Sequence, residues 1–422
     1  MNHDSSRVEL LAPAGTPEKL EIAVHYGADA VYLAGQQFSL RNFSANFSKS
    51  DLIAARTFTQ QHGVRMYVAM NIYSRDSEAQ AISRYLEFLG TVNPDALIVA
   101  DPAIFMQARD ILPSVPLHIS TQANTTTTGA ARFWKHLGAS RINAARELSL
   151  SEIRQMAENS GIEVEAFVHG AMCMAYSGRC LMSGYMAGRE SNRGECCQPC
   201  RFNYTVVEET RPGQYFPVFE DDRGSYLFNS RDLCMIGHLP EMISAGVAAL
   251  KIEGRMKSVH YLAAVLKVYR EAIDAWYASP ETYQIRPEWI QELAAVSHRG
   301  YCTGFYVGNP HETMMNPANL IHPGYRFVAQ ALSRLPDGGT RVLVKNRIFE
   351  AEAVNVLSPG RPARPDRIET IRDENGVRLS VAQPGREVIL YLNTPANRLD
   401  LIRCPLPASA VSSSRSTPEI RN

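Results

Sequence analysis

Apolar residues recur along this chain in short runs of strand length: Glu9–Ala12, Ala30–Ala34, Arg65–Met70, Ala96–Ala100, Leu117–Ser120, Arg141–Ala144, Val164–Val168 and Ala249–Ile252. Most are followed by a polar turn and a stretch with helical periodicity, as in Pro17–His25, Lys49–His62 and Glu78–Leu89. This alternation predicts a parallel sheet with crossover helices. Eight such units within roughly 255 residues predict a TIM-type (β/α)8 barrel over an open doubly wound sheet. Ala12-Pro13-Ala14-Gly15 follows the first run where a Rossmann site would carry Gly-x-Gly-x-x-Gly, which argues against a dinucleotide fold.

Runs seven and eight stand roughly 80 residues apart, where the others need about 20 to 35. Insertions of this size belong to the βα loops, so the segment of about 171–246 is predicted to lie over the catalytic end of the barrel. Near residue 320 the pattern changes to short strands at Tyr325–Leu332, Arg341–Lys345, Glu352–Leu357, Val377–Val381 and Glu387–Leu392, with turns at Asp337-Gly338-Gly339, Asn375-Gly376 and Pro384-Gly385. The predicted organisation is a barrel over 1–320, a small β-barrel over 321–405 and a disordered Ser-rich tail over 406–422.

Composition narrows the class. Lys and Arg number 43, as do Asp and Glu, so no global field draws the chain to a polyanion, and an RNA contact requires a local patch. With 45 % hydrophobic and 20 % charged residues the chain can bury an ordinary globular core. Asp4, Ser5, Ser6 and Arg7 interrupt the N-terminus where a secretory peptide needs an apolar run, and no run of about 18 apolar residues occurs elsewhere. The expectation is a soluble, cytoplasmic protein, in which clustered thiols bind metal more often than they pair as disulfides.

Six of the eight cysteines fall in the insertion: Cys173, Cys180, Cys196, Cys197, Cys200 and Cys234. Thiolate softness points to zinc or an iron–sulfur cluster, both of which usually take four sulfurs. Spacing does not separate the two metals, nor does it choose between Cys196 and Cys197. Cys302 and Cys404, each alone, read as small buried apolar residues.

Barrel strands deliver their C-terminal residues to the active end, which nominates Asn71, Asp101, Gln122, Arg146, His169, Lys251, Glu253 and Arg255. Arg146 and Arg255 suit carboxylate or phosphate, although Arg255 and Glu253 could equally form a structural ion pair. His169 is a candidate proton donor beside the thiols, or a histidine that only bonds neighbouring backbone. The segment Arg179–Arg201 holds Arg179, Arg189, Arg193 and Arg201 against Glu190 and Glu195, with Tyr176, Tyr185, Phe202 and Tyr204 in or beside it. Guanidinium and aromatic planes of this kind can hold a splayed RNA base, while solvated arginines on a loop would read the same.

The run Glu165-Ala-Phe-Val-His-Gly-Ala-Met-Cys173-Met-Ala-Tyr-Ser-Gly-Arg-Cys180-Leu-Met-Ser183 resembles the signature of the collagenase-like, or unassigned-type, peptidase family, whose better-understood members are not proteases. Leu11-Ala-Pro-Ala-Gly15, Gly27-Ala-Asp-Ala-Val-Tyr32, Ser120-Thr-Gln122, Leu250-Lys-Ile-Glu-Gly-Arg-Met-Lys-Ser258 and Ser297-His-Arg-Gly-Tyr301 extend the likeness from about residue 8 to about residue 400. The resemblance is strongest to members that hydroxylate tRNA. It implies 5-hydroxyuridine formation at the wobble position of the anticodon loop, with prephenate as co-substrate, without oxygen, and with a 4Fe-4S cluster supplied by iron–sulfur assembly machinery. It further implies Cys173, Cys180, Cys196 and Cys200 as ligands, with Cys197 or Cys234 as alternatives for one of them. His169, Arg146, Lys251 and Glu253 are then expected in catalysis, and Asn71, Gln122, Arg255 and Arg201 in substrate binding. Other readings are a peptidase, a zinc-stabilised RNA-binding module, or a hydroxylase of another aromatic such as an rRNA base or a quinone precursor. Neither His-Glu-x-x-His nor Gly-x-Ser-x-Gly occurs, which weakens the peptidase reading.

Overall fold

Seven strands, β1 (Glu9–Pro13), β2 (Ala30–Leu33), β3 (Arg65–Met70), β4 (Ala96–Val99), β5 (Leu117–Ile119), β6 (Arg141–Asn143) and β7 (Glu163–Ala171), pair in parallel in chain order. β8 (Asp232–Cys234) returns antiparallel to β7, and β9 (Ala249–Ile252) pairs in parallel with both β7 and β1, closing an eight-stranded barrel of β1–β7 and β9. β10 (Tyr301–Cys302) adds to β8 outside the cylinder. This is a computed structural model, and it describes residues 7–40, 46–173, 177, 179–197, 199, 206–207, 215–216, 219–221, 224–226, 231–308, 324–394 and 396–406.

The helices begin where the sequence supplies caps. Thr16 caps α1 (Pro17–His25), and Ser48 forms a capping box with Asp51 on α2 (Lys49–Gln61). α3 (Ala79–Val92) follows β3. Asp101 accepts from Ala103 N and Ile104 N at the start of α4 (Pro102–Ile111), and α5 (Thr128–His136) follows β5. Ser149 caps α6 (Leu150–Ser160) with Glu152. Then come α7 (Met182–Ala187) in the insertion, α8 (Leu239–Ser244), α9 (Val259–Ala278) and α10 (Pro287–Ala294). No helix among the described residues is long and apolar enough to cross a membrane.

The barrel interior is polar at its lower end. Glu9 accepts from Tyr67 Oη at 2.7 Å and pairs with Arg141 at 2.8 Å and with Arg65, while Lys251 Nζ lies 2.6 Å from Glu165 Oε1. Asn143 Nδ2 donates to the same oxygen at 3.0 Å. Leu11, Ala30, Tyr32, Ala34, Tyr67, Ala69, Ala96 and Ile98 form one buried apolar cluster. Burial of the four charges Glu9, Glu165, Arg141 and Lys251 is tolerated because each has an opposite charge and hydrogen bonds inside the cylinder.

Six antiparallel strands form a second closed barrel: β11 (Tyr325–Arg334), β12 (Thr340–Val344), β13 (Ala353–Leu357), β14 (Arg364–Arg372), β15 (Glu387–Leu392) and β16 (Leu401–Pro405), in the order β13-β16-β11-β12-β15-β14 with β14 returning to β13. β14 and β16 were not among the expected strands. A register shift between Ile368 and Thr370 sets the inward-facing Ile368 and Ile371 three apart, which breaks the two-residue alternation. The expected strand at Val377–Val381 is two short pairs, Arg378–Leu379 and Val381–Ala382. From residue 407 on, the expected tail lies outside the described residues.

Candidate active site at the barrel mouth

At Gly170 the backbone takes φ +112, and a Cβ would collide with the carbonyl oxygen of Glu253, so only glycine fits where β7 gives way to the insertion. The insertion is then strapped over the C-terminal end of the barrel. Ser177 donates its amide and its hydroxyl to the Glu147 carboxylate, each at 2.5 Å. Arg179 Nε donates to Tyr73 Oη at 2.7 Å and to the Gln122 carbonyl at 3.2 Å. Arg193 makes two bonds to Glu78, at 2.7 and 3.0 Å, and one to the Tyr73 carbonyl at 2.8 Å, and its guanidinium holds the Glu78 carboxyl below the usual range. The anchoring residues stand on the loops after β3, β5 and β6, which is the face expected for the insertion.

Arg193, expected to offer charge to RNA, is spent on this strap. Arg201 and Cys200 lie outside the described residues, as do Tyr176, Phe202 and Tyr204. Arg146 is half-buried, with its guanidinium 4.1 Å from the centroid of the Phe167 ring and no carboxylate partner among the described residues. It is an available cation at the floor of the mouth. Beside it, Gln122 Oε1, Asn124 Oδ1 and Thr125 Oγ1 are buried with no hydrogen-bond partner among the described residues. Together these three atoms give the turn a polar lining. Asn124 and Thr125 were not among the expected residues; their position just after Ser120-Thr-Gln122 was the available signal.

Other expected residues have different duties. Asn71 Oδ1 accepts from Leu40 N at 3.3 Å, and Asp101 caps α4 while also accepting from Ser74 N at 3.0 Å. Arg255 is buried and donates to Ser39 Oγ at 3.2 Å and to Asn46 Oδ1, so it fastens the loop after β2 and does not close an ion pair with Glu253. Glu253 is half-buried, its amide bonded to the His169 carbonyl at 2.8 Å. Two expectations need correction. Lys251 is 4 % exposed and engaged with Glu165 inside the cylinder, below the mouth. His169 does not reach the mouth, because a register shift at the end of β7 turns its ring away from the barrel interior and against Tyr261, Tyr269 and Tyr301. Burial there drives its pKa down to about 3, so the ring is neutral near pH 7 and offers no acidic imidazolium.

Comparison with known proteins places this architecture. The profile of peptidase family U32 matches residues 15–316, and that of the family's C-terminal domain matches residues 323–403. The chain belongs to peptidase family U32. It is 39 % identical to the tRNA hydroxylation protein P1 of Bacillus subtilis (strain 168) over 389 residues, covering 92 % of each chain. Against the tRNA hydroxylation protein P of Escherichia coli (strain K12) the identity is 34 % over 393 residues, 83 % of this chain and 86 % of the relative. The 23S rRNA 5-hydroxycytidine C2501 synthase of the same organism is 36 % identical over 281 residues, 65 % of this chain and 40 % of that protein.

In this U32 chain the cysteines divide by environment. Cys173 is exposed, Cys180, Cys196 and Cys197 are half-buried, and none of the described cysteines forms a disulfide. Cys234, Cys302 and Cys404 are buried, and desolvation pushes the thiols of Cys234 and Cys404 up to about 12. Cys234 sits on β8, paired across the strands with His169 on β7. Cys197 is engaged with Ser183, whose hydroxyl accepts from the Cys197 amide at 3.2 Å and lies 3.2 Å from its sulfur. The donor chemistry therefore fits a thiolate-bound group on the insertion. Among the described residues no three His, Cys, Asp or Glu side chains are gathered as metal ligands.

Proposed function

We propose that this chain is an RNA hydroxylase that forms 5-hydroxyuridine at the wobble position of tRNA, with prephenate as co-substrate, without molecular oxygen, and with a 4Fe-4S cluster on Cys173, Cys180, Cys196 and Cys200. The observation that carries the reading is the thiol-bearing insertion strapped across the mouth of a U32 barrel by Ser177–Glu147, Arg179–Tyr73 and Arg193–Glu78. Such a cluster, when bound, supplies redox chemistry beside the substrate. The chain's own groups bind and orient. Arg146, stacked on Phe167, offers a fork to a carboxylate of prephenate or to a phosphate. The orphaned polar atoms of Gln122, Asn124 and Thr125 suit the edge of a flat heterocycle such as uracil, and the overlying insertion excludes bulk water from it. The setting is the cytoplasm, where thiols stay reduced and assembly machinery can load the cluster.

Peptide hydrolysis draws no support. Cys234 stands opposite His169 across β8 and β7, but burial keeps the thiol protonated and leaves the imidazole only a weak base at neutral pH, so the pair is not primed for nucleophilic attack. The test is nucleoside analysis of bulk tRNA from cells lacking the gene, which is expected to lose 5-hydroxyuridine and its derivatives; unchanged tRNA overturns the substrate. Anaerobically purified protein is expected to hold about four irons with matching sulfide. Cys173→Ser is expected to lose them and Cys197→Ser to keep them, and the reverse result overturns the ligand set.

A further inference from the structure

Leu181 is 81 % exposed, more than any other large apolar side chain among the described residues. A single exposed leucine is ordinary. What sets Leu181 apart is how it is presented. Cys180 N donates to Asn192 Oδ1 at 3.2 Å, and the Cys180 carbonyl accepts from Asn192 Nδ2 at 3.2 Å and from the Ser191 hydroxyl. On the other side Met182 N points to Cys180 Sγ at 3.3 Å, and Ser183 is fully buried. Both flanks of Leu181 are thus pinned, and its side chain is held out from a fixed backbone at the rim of the mouth.

Its surroundings indicate what it meets. Two residues earlier, exposed Arg179 is fixed by its Nε to Tyr73 Oη and the Gln122 carbonyl, with no carboxylate partner among the described residues. Arg189 is exposed just beyond α7, and Met186 on that helix is 47 % exposed. An apolar projection two residues from an exposed guanidinium that is itself bonded to the Gln122 turn complements a polyanion whose bases can be parted. A base stacked in a loop must leave its neighbours to reach a barrel mouth, and proteins commonly insert leucine or methionine to fill the gap.

We infer that Leu181 is the wedge that replaces the departing uridine in the RNA stack, with Arg179 holding the adjacent phosphate. This rests on the RNA-hydroxylase reading above. The experiment uses the full chain and an anticodon stem-loop RNA with 2-aminopurine next to the target uridine, following fluorescence and affinity together. Wild-type protein is expected to raise the fluorescence on binding. Leu181→Ala is expected to bind within about threefold of wild type yet lose most of that rise, and to lower kcat/KM on the order of tenfold. Leu181→Met is expected to retain both the rise and the rate, and Arg179→Gln to weaken binding. Leu181→Ala protein that binds and unstacks the RNA as wild type does overturns the wedge alone, leaving the side chain to a protein contact. Wild-type protein that does not bind the RNA overturns the wedge together with the RNA reading.

Discussion

Four of the described histidines, His118, His169, His260 and His298, are buried, and burial lowers the pKa of each. Burial lowers the pKa of His169 and His260 to about 3 and that of His298 to about 4, against about 6.5 in an unfolded chain. Each ring is neutral in the folded protein and takes up a proton on unfolding once the pH falls below about 6.5. Their stabilising contribution is complete above that pH and is lost as the pH falls toward about 4, so ΔG from urea unfolding is expected to decline steadily from neutral pH to about pH 5. His260→Gln, which preserves an acceptor for Arg403 Nη1 now 3.0 Å away, is expected to flatten the decline. Stability unchanged with pH over that interval would falsify the buried-neutral assignment. At this scale residue type alone marks the thiols and Arg146 as candidates. Direction is less legible: its place at a strand end nominates His169, yet its ring lies against Tyr261, Tyr269 and Tyr301.

The insertion acts as one element because its straps are few and strong. Glu147 accepts twice from Ser177, itself at φ +42 in a region that non-glycine residues seldom adopt, so the carboxylate both fixes the strap and holds the backbone in that conformation. Hydrogen bonds to a charged group contribute about 1.5–3 kcal/mol. Glu147→Ala is therefore expected to speed alkylation of Cys173 and Cys180 in metal-free protein while leaving the melting of the barrel nearly unchanged. Alkylation at the wild-type rate would show that the strap does not position the thiols. The straps join residues over 30 to 115 positions apart, such as Glu147 to Ser177 and Glu78 to Arg193, and no local pattern announces such pairs. The insertion itself was plain from an anomalous spacing. β14 escaped because its bulge hides the alternation that made the other strands readable.

Across the whole molecule the two barrels are joined by buried polar contacts. Arg403 on β16 is 2 % exposed and makes a two-pronged pair with Glu292 on α10, the longer bond 2.8 Å, while Tyr26 Oη donates to the Leu357 carbonyl at 2.8 Å. Lys345 and Glu18 meet at the edge, 2.6 Å apart. Removing Glu292 strands a buried guanidinium, and such losses cost on the order of 3–5 kcal/mol. Calorimetry of Glu292→Ala is expected to resolve an early transition of the small barrel from a later one of the large barrel, where wild-type protein unfolds in a single transition; one shared transition in the variant would refute the coupling.

The sequence alone determined what hydrophobic period, turn chemistry and residue type encode locally: eight strand–helix units, a second β-rich region, and a thiol-rich segment between the seventh and eighth strands of the barrel. Tertiary structure decided which side chains share a space. Closing the cylinder placed Lys251 against Glu165 within it, the strand return at β8 walled off His169 and Cys234, and the straps from β3, β5 and β6 loops set Arg146, the Gln122 turn and the thiol segment on one face. The reason is physical. Periodicity is a property of neighbours along the chain, whereas a site is a property of neighbours across it, and contacts between distant residues follow from closure, register and burial that only the folded chain possesses.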